Sequence, residues 1–168
     1  MTLLLIVVIA IASRFIILAG PGWANFSPLG ALALYAGHRH FWKGWIATAI
    51  AVILSNMMIN NMLYAEYYNG FSWGIDTNTI IFVMISVLGQ IKSESTFRLN
   101  IVSAIMFFIL SNLIVCAGTM YTHDVKGVIA CYTAAIPFFV NTLISQFIFG
   151  GIFFAIHRTS IQMDRVHL

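Results

Sequence analysis

Arg14 is the one charged residue that lies well inside an apolar run of this chain. A charge in hydrocarbon is costly, and such residues are functional-site candidates by default. A functional Arg14 would hold an anionic ligand group, or would donate to backbone carbonyls of the segment around Asn25 and Phe26. The alternative is that its side chain snorkels to the membrane surface, because the helix breaks about one turn later, at 19–20.

Carboxamide side chains form a second group of candidates. Asn56, Asn60, Asn112 and Asn141 lie in the halves of their predicted helices that face one side of the membrane. An unpaired amide in hydrocarbon costs several kcal/mol, so each amide needs another polar group, water or a ligand. The amides therefore predict either hydrogen bonds between helices or a polar site beneath the loops on that side.

Aromatic side chains near the same loops could stack on a flat heteroaromatic ligand. The candidates are Trp23, Phe26, Trp73, Tyr121 and Tyr132. The competing interpretation is an aromatic belt at the membrane–water interface, where Trp and Tyr are enriched. A ligand site that combines these groups would contain Arg14, Trp23, Asn25, Phe26, Asn56, Asn60, Asn112, Tyr121, Tyr132 and Asn141.

The sequence predicts no enzyme, no resident metal and no cofactor. It contains no nucleophile elbow, HExxH motif, phosphate loop or paired carboxylates. His38 and His40 have a spacing that metal ligands can adopt, but they flank Arg39 and precede Lys43. We interpret them as part of a cationic membrane anchor. Cys116 and Cys131 match no CxxC or zinc spacing, and we expect two buried free thiols rather than a disulfide.

The composition is that of an integral membrane protein. The chain is 61% hydrophobic and 8% charged, and its mean hydropathy is +0.95. This small number of charges cannot cover the surface of a soluble domain. Residues 1–168 are therefore expected to form one domain in the lipid bilayer. The net charge of +3 is explained by loop residues, and no nucleic-acid partner is predicted.

The gaps between apolar runs alternate in charge. One set is cationic: His38, Arg39, His40, Lys43, Lys92, Arg98, Arg158 and Arg165. The other set contains the acids Glu66, Asp76 and Asp124, with Lys126. Because Lys and Arg are enriched in cytoplasmic loops, the loops 19–27, 61–77 and 117–127 are expected to face outward and both termini to face the cytoplasm.

The predicted fold is all-α, a bundle of six transmembrane helices. The helices are expected at about 2–18, 28–37, 42–60, 78–91, 100–116 and 134–156. The first is interpreted as a retained membrane helix and not as a signal peptide, because no Lys or Arg precedes its apolar run.

The second helix is too short to cross a bilayer. Ser27 and Pro28 form a good helix start, and about ten residues span only about 15 Å, half of the hydrocarbon thickness. Either this helix is tilted into protein or the preceding loop dips into the membrane. Irregular backbone at that depth is tolerated only where protein covers it or where it lines a cavity, which is the first indication of a site.

Three segments resemble an uncharacterised family of small bacterial membrane proteins. Residues 25–37 read NFSPLGALALYAG, residues 132–143 read YTAAIPFFVNTL and residues 107–112 read FFILSN. That family is similar in hydropathy and length to the substrate-binding S components of energy-coupling-factor vitamin transporters. The resemblance implies a six-helix bundle in the bacterial inner membrane, with an outward pocket beneath the first, third and fifth loops.

The chain also departs from the patterns that the resemblance implies. Asn56 and Gln146 stand where the family usually has acids, which weighs against a proton or cation step and against a cationic ligand. S components usually carry an Ala-x-x-x-Ala face on helix 1, whereas Ala10 is followed four residues later by Arg14. Docking to a coupling module therefore has no support in the sequence.

Two functional hypotheses follow. The first is a substrate-binding transport protein of the S-component type, which takes up a vitamin-like small molecule alone or with a coupling module. The second is an accessory subunit that packs beside a larger membrane complex and has no working pocket.

Overall fold

The structure, a computed structural model, describes residues 2–66, 70–91 and 96–166, and the side chains of these except at 2–3, 17–18, 21, 96 and 157–166. This part of the chain contains six α-helices and no strand, which confirms an all-helical fold. The helices are α1 (Thr2–Ser13), α2 (Leu29–His40), α3 (Trp42–Leu63), α4 (Thr77–Leu88), α5 (Thr96–Cys116) and α6 (Val125–Val166). Two 3₁₀ helices, Arg14–Ala19 and Pro21–Trp23, follow α1. Lys92 of the predicted cationic set lies outside the described residues.

Three helices are long and apolar enough to cross a membrane. They are α3 and the segments Phe97–Cys116 and Val125–Ile156, because about 20 apolar residues in a helix span the hydrocarbon core. Two shorter apolar segments are Leu4–Ile16 and Thr77–Leu88. These helices indicate association with a membrane.

The two faces of α3 differ in polarity in the way expected for a helix bundle surrounded by lipid. One row at four-residue spacing is exposed and apolar, namely Ile46, Ile50, Leu54 and Met58. The opposite face is buried and carries small or polar residues, among them Gly44, Thr48, Ser55 and Asn56. A soluble bundle has the reverse distribution, so hydrocarbon is the solvent that this surface fits.

Helix α2 is the centre of the bundle. Residues 29–37 are all buried, and α2 contacts α1, α3, α4, α5 and α6. Glycines permit this enclosure, since a Cβ at Gly37 would overlap the backbone of Ser86, and one at Gly44 would overlap that of Ala36. The short helix therefore does not need to cross the bilayer by itself, because neighbouring helices surround it.

The observed helix bounds differ from the expected ones in all six helices. Helices α2 and α3 each extend three residues further, to His40 and Leu63, and α5 begins four residues earlier, at Thr96. The α-helical part of the first helix ends at Ser13 and continues as a 3₁₀ helix, and α4 ends at Leu88 instead of 91. The sixth helix is continuous for 42 residues and contains Pro137, so it begins well before the expected residue 134.

The early start of α6 has a local cause in a helix cap. The carboxylate of Asp124 accepts a hydrogen bond from the Gly127 N–H at 2.8 Å and one from the Thr122 hydroxyl at 2.7 Å. Aspartate is a preferred N-cap residue for this reason. Both hydrogen bonds lower the pKa of the Asp124 carboxyl, and the bond from the Thr122 hydroxyl has the larger effect.

The expectation of two free thiols is wrong. Cys116 at the end of α5 and Cys131 in the second turn of α6 form a disulfide, with their Cα atoms 5.8 Å apart. The early start of α6 explains the pairing, because it carries Cys131 back alongside the end of α5. Spacing in the sequence does not reveal such a contact.

Candidate ligand-binding site

A cavity of about 440 Å³ opens at the end of the bundle that carries the segments 19–27, 70–76 and 117–124. We call it the loop-side cavity. Its polar wall is formed by Asn25, Thr77, Asn78, Ser111, Asn112 and Tyr121. Its apolar wall includes Phe107, Ile114, Val115 and Phe138.

The polar wall is held by hydrogen bonds within α5. The Asn112 amide donates to the Phe108 carbonyl at 2.7 Å, and the Ser111 hydroxyl donates to the Phe107 carbonyl at 2.7 Å. The amide oxygen of Asn112 has no partner among the described residues. It remains an acceptor for a molecule in the cavity.

A second, smaller cavity lies next to the first, and we call it the inner chamber. Its volume is about 30 Å³, and its polar lining is Arg14, Asn25, Ser27, Ser103, Thr142 and Gln146. Asn25 and Phe107 line both cavities. The two spaces are therefore adjacent and share the walls that these two residues form.

Arg14 points into the bundle and not toward the membrane surface. It follows Ile6 and Ala10, which have no exposed surface, at the four-residue spacing of one helix face. Its Nη2 donates to the Asn56 amide oxygen at 2.8 Å, while its Nε is buried with no partner among the described residues. The structure thus shows an inward-facing guanidinium, and not the alternative in which the Arg14 side chain extends to the membrane surface.

Asn56 connects Arg14 to the start of α4. Its amide nitrogen donates to Asp76 Oδ2 at 3.1 Å and to the Gly74 carbonyl at 3.4 Å. Asp76 caps α4, since Oδ1 accepts from the Thr79 N–H at 3.0 Å and from the Thr79 hydroxyl at 3.2 Å. The guanidinium and the carboxylate are thus linked through an amide.

Asn141 holds the irregular segment that forms the roof of the site. Its amide nitrogen donates to the Gly22 carbonyl at 2.8 Å and to the Ala24 carbonyl at 2.9 Å. Phe26 packs edge-on against Phe149, with ring centroids 5.7 Å apart. These contacts attach the segment to α6, while Gly22, Trp23 and Asn25 remain exposed.

Two other predicted site residues have contacts elsewhere. The Asn60 amide donates to the Ser72 hydroxyl at 3.1 Å and so holds the 70–76 segment against the end of α3. The Tyr132 hydroxyl donates to the Ile109 carbonyl at 2.9 Å, and its ring contacts Phe108. Both side chains fix neighbouring elements and neither lines a cavity.

The ten predicted residues thus divide into separate groups. Asn25, Asn112 and Tyr121 line the loop-side cavity; Arg14 and Asn25 line the inner chamber, and Asn56 bonds to Arg14. Trp23 and Phe26 form an aromatic pair with centroids 5.3 Å apart, and they do not line either cavity. Asn60, Tyr132 and Asn141 hold loops and helices in place.

Asn78 lines the loop-side cavity and Ser103 lines the inner chamber, but neither was among the predicted residues. Ser103 accepts a hydrogen bond from Gln146 at 2.6 Å in the chamber wall. A signal for Ser103 exists in the sequence, because a serine on a helix of apolar residues needs a polar partner. Among the described residues, no group of three or more His, Cys, Asp or Glu side chains could hold a metal ion.

An all-helical architecture, helices fit to cross a membrane and a polar-walled cavity define a membrane-associated helical protein with a candidate ligand site. The chain belongs to a family of unknown function (DUF6580), whose model matches residues 1–165. No curated protein and no solved structure matches the chain.

Proposed function

We propose that the protein is a multi-pass membrane protein that binds a small molecule in the loop-side cavity and takes part in its uptake, in the manner of an S component. The cavity of about 440 Å³ carries this proposal. Ligand sites typically measure about 300–1,000 Å³ and combine apolar walls with a few polar groups. A roof held by Asn141 keeps the space open beneath an irregular segment.

The walls favour a flat, polar ligand of vitamin size. Phe107, Tyr121 and Phe138 offer aromatic surfaces on which a heteroaromatic ring can stack. Asn112 and Asn78 offer amide donors and acceptors at the rim of that surface. This combination would bind a ring that carries hydrogen-bonding substituents.

Two observations support an outward orientation of the cavity. His38, Arg39 and His40 form the end of α2 opposite the cavity, and Lys43 follows in the first turn of α3. The positive-inside rule assigns such a cationic end to the cytoplasm. Cys131, which lines the cavity, is joined to Cys116. Disulfides persist in oxidising compartments outside the cytoplasm.

Retention of a ligand by the purified protein tests the proposal. We expect native mass spectrometry of the full chain, expressed in a bacterial membrane, to show a small molecule bound at one copy per chain. Ala134→Phe should abolish retention because Ala134 lines the cavity. Ala130→Phe, one turn earlier on α6 and outside the cavity wall, is the matched control and should retain the molecule. Equal retention by both variants, or no bound molecule in the unaltered protein, would contradict the proposal.

The second candidate function, an accessory subunit of a larger membrane complex, is favoured by the length of α6. A helix of 42 residues is about 63 Å long, roughly twice the hydrocarbon thickness, so part of it extends beyond the bilayer and is available to a partner. An accessory subunit should co-purify with its partner at fixed stoichiometry, and its deletion should weaken the complex without changing uptake of any nutrient.

A further inference from the structure

We infer that the inner chamber is an anion subsite, which binds the carboxylate of a small organic acid while the body of that acid lies in the loop-side cavity. This inference rests on the proposed function and adds the chemical class of the ligand to it. Four features of the chamber carry the inference: its charge, its volume, its donors and its position.

The charge of the chamber is positive. Arg14 lines it, and the buried Nε–H of Arg14 has no partner among the described residues. A guanidinium in such a place matches a carboxylate, which accepts its N–H groups in a planar arrangement. Leaving a charged donor unpaired in a buried site is costly, so an incoming anion would be stabilised here.

Nearby acids do not neutralise this charge by contact. Among the described residues that line the chamber, none is acidic. Asp76 reaches Arg14 only through Asn56, and its two oxygens accept hydrogen bonds from Thr79, Asn56 and Asn78. Its carboxylate is therefore engaged by the cap of α4, outside the chamber.

The volume fits the two oxygens of a carboxylate. One water needs about 10–15 Å³ measured in the same way, so a chamber of about 30 Å³ holds about two water-sized groups. A phosphate or a sulfate, with four oxygens, exceeds this volume. The chamber therefore selects small monovalent anionic groups.

Further donors come from the start of α2. Ser27 and Gly30 line the chamber, and they lie at the N-terminal end of this 12-residue helix. The Ser27 hydroxyl oxygen accepts from the Leu29 N–H at 3.3 Å, which leaves the hydroxyl hydrogen to donate to an anion. The positive end of the α2 helix dipole adds to the charge of Arg14.

The position of the chamber indicates an organic acid instead of a free inorganic ion. Asn25 and Phe107 line both spaces, so a molecule with an aromatic body in the loop-side cavity can place a carboxylate in the chamber. Benzoate has this shape and serves as a probe. Benzamide has the same shape without the charge, and bromide supplies the charge without the ring.

Equilibrium dialysis of the full-length protein in detergent micelles with radiolabelled benzoate tests the inference. We expect saturable binding that excess unlabelled benzoate displaces and that benzamide and bromide displace poorly. Arg14→Gln should weaken binding roughly tenfold or more, the amount expected for a lost hydrogen bond to a charged group. Arg39→Gln, which removes an exposed guanidinium at the other end of α2, is the matched control and should bind normally.

Arg14→Lys provides a second variant in case Arg14→Gln does not fold. It keeps the positive charge but loses the planar donor arrangement, so benzoate should bind with intermediate affinity. Binding that is unchanged in Arg14→Lys and Arg14→Gln would overturn the inference. Displacement by bromide as effective as that by benzoate would also overturn it, because the site would then bind inorganic anions.

Failure of this inference is distinguishable from failure of the proposed function. If Ala134→Phe abolishes retention of the native ligand while benzoate binding does not depend on Arg14, the cavity works and the chamber is not an anion subsite. If the native protein retains no ligand but binds benzoate through Arg14, the anion subsite stands and the uptake function fails.

Discussion

At the scale of single residues, the amides of this chain act mainly as donors to oxygens that would otherwise lack a partner. Asn56 donates to Asp76, Asn60 to Ser72 and Asn141 to two carbonyls of the roof segment. An unsatisfied polar group in an apolar environment costs about 1–3 kcal/mol. The same physical requirement therefore links Arg14 to Asp76 through Asn56, attaches the 70–76 segment through Asn60 and holds the roof segment through Asn141.

Asn141→Asp tests the roof support. The substitution keeps the size of the side chain but turns an oxygen toward the Gly22 and Ala24 carbonyls, so the segment should detach from α6. We expect a loss of about 1–3 kcal/mol in the free energy of unfolding and weaker ligand retention. Thermal unfolding of the purified protein in detergent measures the first effect, and native mass spectrometry measures the second.

Asn112→Asp is the control for the stability loss of Asn141→Asp; it does not control ligand retention, because Asn112 lines the loop-side cavity. The Asn112 amide donates to one carbonyl of its own helix, so the substitution should cost less stability and leave the roof in place. An equal loss of unfolding free energy in the two variants would show that the hydrogen bonds from Asn141 to the roof segment contribute no more than a bond within one helix.

At the scale of elements, close packing around α2 creates the space for the site. Gly44 in α3 and Gly89 directly after α4 both meet the backbone of α2, since a Cβ at Gly89 would overlap the Leu34 carbonyl and one at Gly44 would overlap that of Ala36. Small residues at helix contacts in membranes allow backbones to approach and van der Waals contacts to accumulate. The buried α2 then presents its N-terminal end to the inner chamber.

Gly37→Ala tests this packing. The new Cβ would overlap the backbone carbonyl of Ser86, so α2 and α4 must separate. We expect a loss of about 1–3 kcal/mol or more in the free energy of unfolding, measured by thermal unfolding in detergent.

Gly151→Ala is the matched control for Gly37→Ala. Gly151 is also helical, but nothing lies within 4 Å of a Cβ built on it. Its replacement should be neutral or stabilise the helix by up to about 1 kcal/mol, the difference in helix propensity. If Gly151→Ala lowers the free energy of unfolding as much as Gly37→Ala does, the effect comes from replacing a helical glycine and not from the contact between α2 and α4.

At the scale of the whole molecule, the two ends of the bundle differ in charge while its flanks are apolar. One end carries His38, Arg39, His40 and Lys43, whereas the other end carries Glu66, Asp76, Asp124 and the disulfide. Lys and Arg remain on the cytoplasmic side during membrane insertion. The cavity and the roof segment should therefore face outward.

Labelling of single cysteines with a membrane-impermeant maleimide tests this orientation. Met120→Cys, at an exposed position beside the cavity, should react in intact spheroplasts. Arg39→Cys should react only after permeabilisation. The native cysteines need no removal because both are joined in the disulfide, and the unaltered protein should stay unlabelled. Reaction of Arg39→Cys before permeabilisation would reverse the proposed orientation.

The sequence by itself determined the helical class, the membrane character and the need for buried polar partners. Hydropathy and helix signals act over a few residues, because each backbone hydrogen bond of a helix joins residues four apart. The apolar runs of α3 and α5, and the shortness of α2, were therefore readable from local composition.

Only the tertiary structure decided which side chains meet. Arg14 and Asn56 are 42 residues apart, and Asn141 and Gly22 are 119 apart, so no local pattern pairs them. The inward direction of Arg14, the disulfide and the division of the predicted site into two cavities and a set of loop attachments all depend on such distant contacts. The physical reason is that side-chain partners are set by how the helices pack around α2, whereas each helix is set by its own residues.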